Sequence, residues 1–298
     1  MTNENIYLNG EFVEASEALL PVGDRAVLFG DSAFETLRAY GGKPFRLGRH
    51  LERLEDSARI LRLALPRTRD EIADAVLSLL SENELAEERS PDARVRITVT
   101  GGASDGPKGL ARPGRAGIFI IATPLEGYPD RYYREGITLA VSGIRRNTSS
   151  PVSALKSGNY LDSMLARQEA LDRGADDAVM LTTAGNLSEA TSSNVFMVKD
   201  GGLLTPDVGC GLLPGVTREA VIELCGRLHL PCRPVTEGPE VLFSADEVFL
   251  TNSIAEVLPV RRVGDRVPAH GCPGPVTLLL SGAYRELVEA ETGTPRPV

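Results

Sequence analysis

Tryptophan is missing from the 298 residues, and basic residues are too few to balance the acids: Lys+Arg is 32 against 41 Asp+Glu, a formal net charge of −9. Such a surface repels a phosphate backbone, which argues against a nucleic-acid partner. No apolar run approaches the roughly 18 residues a membrane-spanning helix needs, and the opening MTNENIYLNG is polar rather than a basic-then-apolar leader. A cytoplasmic protein without a membrane partner is expected. The four cysteines (Cys210, Cys225, Cys232 and Cys272) form no C-x-x-C, and with His50, His229 and His270 they give no zinc spacing. No metal site is expected, and the cysteines read as buried or idle thiols. No histidine has triad company, so serine hydrolysis falls with metal hydrolysis; His50 itself reads as part of a charged helical stretch. Lysine is the scarcest cation: only Lys43, Lys108, Lys156 and Lys199, with arginine supplying the rest.

What is present is ordinary globular material, 42% hydrophobic and 24% charged, far too apolar for disorder. At roughly 150 residues per domain the length predicts two domains. Residues 1–123 read as a smaller α/β domain. A hairpin turns at Asn9-Gly10, and extended stretches run through RAVLFGDSAFETLRAYGGKPFRL about a Gly41-Gly42 turn. An amphipathic helix carries Leu47, Leu51, Leu54, Ala58 and Leu61, and a second helix starts at a Thr68…Glu71 capping box and runs to about Ser81. ARVRITVT and AGIFIIAT are strands on either side of a Gly/Pro/Ala loop. Residues 124–136, broken by two prolines, read as the linker. Residues 137–298 then give a strand, a helix over 158–173, an antiparallel meander, a helix over 217–229, the strand DEVFLT and a closing helix over 275–291. The fold class is α+β, mixed α and β in two domains.

Three constellations carry chemistry. Lys156 lies in SPVSALKSGNYLDSMLA, among small and apolar residues, whereas Lys43, Lys108 and Lys199 sit beside glycine in turn-like contexts. A partly desolvated amine loses its proton more readily and can form a Schiff base with an aldehyde, which arginine cannot do. Set against this is a lysine merely snorkelling from a strand end. Glu189, in NLSEATSSNVF, would need a cationic partner or several donors if it were held within the meander; a solvated strand-end carboxylate is the plainer alternative. GLLPGVTREAV turns at Pro214-Gly215, can be capped by Thr217 and enters a helix whose first N–H groups and dipole suit a phosphate. Alone this is a common helix start. An amine for an aldehyde, a carboxylate for a ring cation and an anion cradle are together the needs of pyridoxal 5′-phosphate.

The chain resembles the fold-type IV pyridoxal phosphate enzymes, or class IV aminotransferases, which include branched-chain aminotransferases, D-amino-acid aminotransferases and aminodeoxychorismate lyases. The likeness runs through YLNGEFV, FGDSAFETLRAY, HLERLEDSARIL, KSGNYLDSMLARQEA, GNLSEATSSNVFMVKDGGLLTP, GLLPGVTREAVIEL and ADEVFLTNSIAEVLPV, in the family's order. It implies that Lys156 is the catalytic lysine that forms the Schiff base and shuttles the substrate proton. It further implies that Glu189 pairs with the pyridinium nitrogen, that Arg53 holds the phosphate with Val216 and Thr217, and that Tyr160 meets the cofactor O3′. Ser253 and Ile254 match a turn that supplies backbone donors. The family also implies a larger C-terminal domain with a barrel-like sheet, an active site between the domains, and a homodimer whose second subunit closes that site.

The substrate pocket is where the sequence departs from any one branch. Phe29 stands where branched-chain enzymes carry tyrosine and Thr36 where they carry glycine; both, with Asp24-Arg25 and TSSN, lean towards the lyase or D-amino-acid branches. Gly101-Gly102 replaces the Arg-Gly of the D-specific branch, while Arg96 and KSGNY are of the branched-chain kind. The favoured reading is an aminotransferase moving an amino group between a branched-chain-like amino acid and a 2-oxo acid in a ping-pong cycle. The alternatives are an aminodeoxychorismate lyase giving 4-aminobenzoate and pyruvate, a D-amino-acid or amine transaminase, and a non-catalytic binding protein. Loop 101–115 is expected to help decide among them.

Overall fold

The computed structural model describes residues 4–103 and 115–295. Most of loop 101–115, Lys108 included, lies outside them. The chain divides into two compact units, one of residues 1–126, 155–159 and 288–298 and the other of 127–154 and 160–287.

The first unit contains β1 (Asn5–Leu8), β2 (Glu11–Glu14), α1 (Arg25–Phe29), β3 (Ser32–Tyr40), β4 (Lys43–Pro44), α2 (Leu47–Leu61), α3 (Arg69–Glu82), β5 (Ala93–Thr100) and β6 (Gly117–Pro124). Its six strands lie in the order β2-β1-β6-β5-β3-β4, and every pairing is antiparallel. Alternation sets the faces. Ala33, Leu37 and Ala39 of β3, Val95, Ile97 and Val99 of β5, and Ile118 and Ile120 of β6 join Leu51, Leu54 and Ala58 of α2 and Ile72, Val76 and Leu79 of α3 in one core. Each such leucine or isoleucine contributes about 1.5–3 kcal/mol when fully buried. α3 starts at the expected capping box, with Thr68 and Glu71 bonding each other's backbone N–H. Residues 25–29, read as extended, are instead a short helix: the Asp24 side chain accepts from Ala26 N–H, and Gly30 closes it at φ 65°.

The second unit contains α4 (Asp130–Glu135), β7 (Ile137–Arg146), α5 (Leu161–Asp172), β8 (Asp177–Thr182), β9 (Leu187–Ala190), β10 (Asn194–Lys199), β11 (Gly202–Pro206), α6 (Val216–Arg227), β12 (Cys232–Val235), α7 (Glu240–Phe243), β13 (Glu247–Asn252), β14 (Glu256–Val263) and α8 (Pro275–Thr292) up to residue 287, the last turn of α8 counting with the first unit. Eight strands lie in the order β12-β11-β10-β13-β14-β7-β8-β9, a mixed sheet curled as a half-barrel. The expected simple meander is therefore interrupted: β10 pairs with β11 on one side and with β13 on the other. β8 is buried at every position and β13 at all but its last, as strands covered on both faces are. α5 is the crossover between the parallel strands β7 and β8, seated on them through Ala140, Ala166, Ala170, Ala178 and Met180.

Two segments fall on other sides of the division than the pattern of prolines predicts. Residues 124–136 are not a plain linker, because β6 ends at Pro124 and α4 follows, with Tyr128, Tyr132 and Tyr133 packed on the second unit's core. Leu155–Asn159, placed by the sequence in the C-terminal domain, belongs with the first unit. The reason is hydrogen bonding: Phe34 N–H donates to the Lys156 carbonyl at 2.8 Å and Gly158 N–H to the Ser32 carbonyl at 2.9 Å, adding 156–158 to β3 as a short extra strand.

Candidate active site

Lys156 is half-buried and held at the edge of β3 by those backbone bonds. Its Nζ lies 4.7 Å from the centroid of the Phe34 ring, and the Arg96 guanidinium lies 3.8 Å from the same centroid. The register explains the second contact. Thr36 is opposite Arg96 and Phe34 is opposite Thr98, so these four residues share the sheet face that turns away from α2 and α3. Two cations on one ring are each worth about 0.5–2 kcal/mol of cation–π attraction. Thr36 and Arg96 are therefore neighbours, whereas Phe29 projects from α1 at 47% exposure with the Arg25 guanidinium against its ring. Phe34 was not among the sequence candidates. Its signal was the alternation of SAFETLRAY, which sets Phe34 on the face of Thr36.

On the opposite face of β3, Glu35 is fully buried. Its carboxylate accepts Arg53 Nε at 2.8 Å and Arg53 Nη2 at 2.7 Å, and lies 2.8 Å from His50 Nδ1. Burial alone would raise the Glu35 pKa, but the Arg53 charge and its hydrogen bonds, aided by His50, bring it down to about 2. Burial pushes His50 below its ordinary value against the pull of Glu35, with the Arg53 and Lys156 charges acting in the same direction as burial. His50 is thus no surface member of a charged helix: it is 1% exposed, and α2 presents it on the same side as Arg53, three residues on. Arg53 in turn is far from exposed, with its side chain at 12%. Glu35 occupies one edge of the guanidinium and so fixes its plane.

The second unit assembles a different set. Glu189 is not a solvated strand end but the third residue of β9, 7% exposed. One carboxylate oxygen is 3.1 Å from Arg146 Nη2, and the other accepts from Asn194 Nδ2 at 3.2 Å and Leu213 N–H at 3.1 Å. This is the cationic partner with donors that a carboxylate held there requires; neither Arg146 nor Asn194 had been singled out. α6 begins at Val216 with Gly215 as its N-cap and no capping side chain, so Thr217 is not the cap but the second helical residue. Gly215 is needed for a close approach, because a Cβ there would meet Asn194 Oδ1 at 2.1 Å. Val216 and Thr217 are both buried. In the turn after β13, Asn252 Oδ1 accepts from Ile254 N–H at 2.9 Å and Ala255 N–H at 2.6 Å, so the Ile254 donor is engaged within the turn that Ser253 shares. Tyr160, half-buried, stands at the N-cap of α5.

Buried polar atoms without a hydrogen-bond partner are few among the described residues: Thr98 Oγ1, Arg146 Nε, Thr251 Oγ1 and the Tyr284 hydroxyl. Three of the four adjoin these sets. Thr98 lies opposite Phe34, Arg146 pairs with Glu189, and Thr251 lies opposite Asn194. Orphaned donors cost about 1–3 kcal/mol each unless something occupies the space beside them. Among the described residues no cluster of His, Cys, Asp or Glu could hold a metal ion, and no helix is long and apolar enough to cross a membrane.

Residues 32–263 match the family described as amino-transferase class IV. The chain belongs to the class IV aminotransferases. These are pyridoxal 5′-phosphate-dependent enzymes. A branched-chain-amino-acid aminotransferase of Pseudomonas aeruginosa is 35% identical over 295 residues, 96% of this chain and 94% of that one. Among solved structures, the Escherichia coli branched-chain amino acid aminotransferase aligns at TM-score 0.90 and 33% identity, covering 97% of this chain and 96% of that one. The branched-chain aminotransferase of the thermophilic archaeon Thermoproteus uzoniensis, solved with norvaline, aligns at TM-score 0.87 and 32% identity, covering 96% of this chain and 95% of that one. This aminotransferase thus matches its relatives over nearly their whole length, and the mixed α and β class with a barrel-like sheet holds.

Proposed function

We propose that this aminotransferase moves an amino group between a branched-chain amino acid and a 2-oxo acid, with Lys156 as its catalytic residue. The observation that carries the reading is the pairing of Lys156 with Arg96 on the Phe34 ring: an amine able to move a proton lies beside a guanidinium suited to a carboxylate. Pyridoxal phosphate, when bound, supplies the electron sink that lets a proton leave the substrate α-carbon. The donor set fits that group. Glu189, facing Arg146 and two amide donors, would hold a proton on the ring nitrogen. Arg53 and the uncapped first turn at Val216 and Thr217 would bind the phosphate, the Ser253–Ile254 turn would supply backbone donors, and the Tyr160 hydroxyl would meet O3′. The orphaned Arg146 Nε and Thr251 Oγ1 suit a polar ligand next to Glu189 and Asn194. Lys156 would take the proton from the substrate α-carbon and hold it for return, and water would supply the carbonyl oxygen of the 2-oxo acid that leaves; a second oxo acid would run the exchange in reverse. Thr36 and Arg96 border the substrate, and Phe29 stands at its margin.

The purified chain is expected to absorb in the visible and to bleach with borohydride, while a Lys156→Ala variant is colourless. The visible band should then disappear on adding leucine or glutamate. Equal colour in both proteins would remove the assignment of Lys156, and pyruvate release from aminodeoxychorismate with no response to any amino acid would favour the lyase. We further propose a cytoplasmic homodimer. Leu161, Met164 and Leu165, one turn apart on α5, are 64%, 63% and 51% exposed, an apolar ridge suited to a second copy; sedimentation velocity reads the assembly directly.

A further inference from the structure

The second unit carries a pair of thiols that the proposed chemistry does not use. Cys225, 1% exposed, lies in the last turns of α6, and Cys232 opens β12. The connection between them is short and tied back on itself: Leu230 N–H donates to the Cys225 carbonyl at 2.9 Å, and Leu203 N–H to the Pro231 carbonyl at 2.7 Å. This brings the two cysteine side chains close enough to interact with each other. Arg218, one helical stretch earlier on α6, is anchored through Nε to Thr205 Oγ1 at 3.3 Å and through Nη2 to the Pro206 carbonyl at 3.1 Å, so its charge near the pair is fixed. The neighbouring Cys225 and that guanidinium lower the Cys232 pKa against burial, while the Cys225 thiol is pushed up. Cys232 is half-buried and lines a cavity of about 500 Å³ with Lys199, Leu204, Pro231 and Arg233. A small oxidant in that cavity therefore meets the sulfur most able to react with it.

We propose that Cys232 and Cys225 form an oxidisable dithiol, a modification site for hydroperoxides in which Cys232 is attacked first and Cys225 resolves it. In the first step the Cys232 thiolate attacks the terminal peroxide oxygen. An S–O bond forms and the O–O bond breaks, the sulfur loses two electrons to become a sulfenic acid, and the peroxide is reduced to water or an alcohol. In the second step the Cys225 sulfur attacks the Cys232 sulfur. An S–S bond forms, the S–O bond breaks, and the departing hydroxide leaves as water with the Cys225 proton. The resulting bridge ties the last turns of α6 to the start of β12, on the helix whose first turn contains Val216 and Thr217.

The test is hydrogen peroxide on the native full-length chain, followed by thiol counting under denaturing conditions and tryptic mass mapping. All four cysteines are free before treatment. The expected result is the loss of two thiols, restored by dithiothreitol, with a disulfide-linked pair joining residues 219–227 to the peptide that begins at Leu228. In Cys225→Ser, Cys232 is expected to stop at a sulfenic acid trapped by dimedone; in Cys232→Ser, Cys225 should stay reduced. Retention of all four thiols, prior loss of Cys210 or Cys272, or over-oxidation of Cys232 without a bridge would each overturn the proposal. The wild-type mass map decides the matter even if a variant does not fold.

Discussion

Replacing Glu35 by glutamine keeps the shape of the side chain and removes its charge from a fully buried position. Arg53 then loses the anion that accepts from its Nε and Nη2, and His50 loses its partner at 2.8 Å. The magnitude follows by linkage. The Glu35 pKa drops from 4.5 to about 2 on folding, which stabilises the folded state by about 3 kcal/mol when the group is ionised in both states. Because the folded pKa is the depressed one, that stability is fully present above pH 4.5 and is lost as pH falls towards 2. Breaking one side of a buried pair gives a similar figure, about 3–5 kcal/mol. Urea unfolding of wild type and Glu35→Gln, at one fixed protein concentration, should therefore differ by about 3 kcal/mol at pH 7 and by about 1.5 kcal/mol at pH 3. Other carboxylates titrate equally in both proteins and cancel. A difference below about 1 kcal/mol at pH 7, or one that does not shrink with acid, would refute the claim that Glu35 is an ionised counter-charge.

Two further outcomes follow from the geometry. Glu189→Gln keeps an acceptor for Asn194 and Leu213 but loses the charge that faces Arg146; transamination of leucine should fall about 10²-fold while the thermal midpoint changes little, and near-normal kcat would detach Glu189 from the chemistry. Gly42→Ala puts a Cβ 2.4 Å from the Ala86 backbone at φ +79°. The strained backbone alone costs about 1–3 kcal/mol, and an unchanged melting temperature would contradict the tight β3–β4 turn.

Much of the fold was legible wherever a period or a cap dominates locally. The Asn9-Gly10 hairpin and the Thr68–Glu71 capping box emerged close to their expected bounds because hydrogen bonds between near neighbours decide them, and the strand over 93–100 because its own alternation marks it. Elements governed by distant partners were misread or missed. α1 looks extended by composition and is a helix because of Asp24 and Gly30; β12 and β14 are short or irregular runs that become strands only against β11 and β13. Among site residues, the scarcity of lysine brought Lys156 forward, and family motifs brought Arg53 and Glu189 forward. His50 went the other way, since a histidine between arginines and glutamates gives no sign of facing a buried carboxylate.

The identity of the reacting groups, an amine, a carboxylate and a helix start that suits an anion, is written in the order of residues, because side-chain chemistry and local turns depend only on near neighbours. Their environments are not. Glu35 beneath Arg53 and His50, Arg146 against Glu189, and two cations on the Phe34 ring join residues up to about a hundred and twenty positions apart. Strand register and helix seating set those encounters, and with them which charges are buried, which are balanced and which are left to meet a ligand.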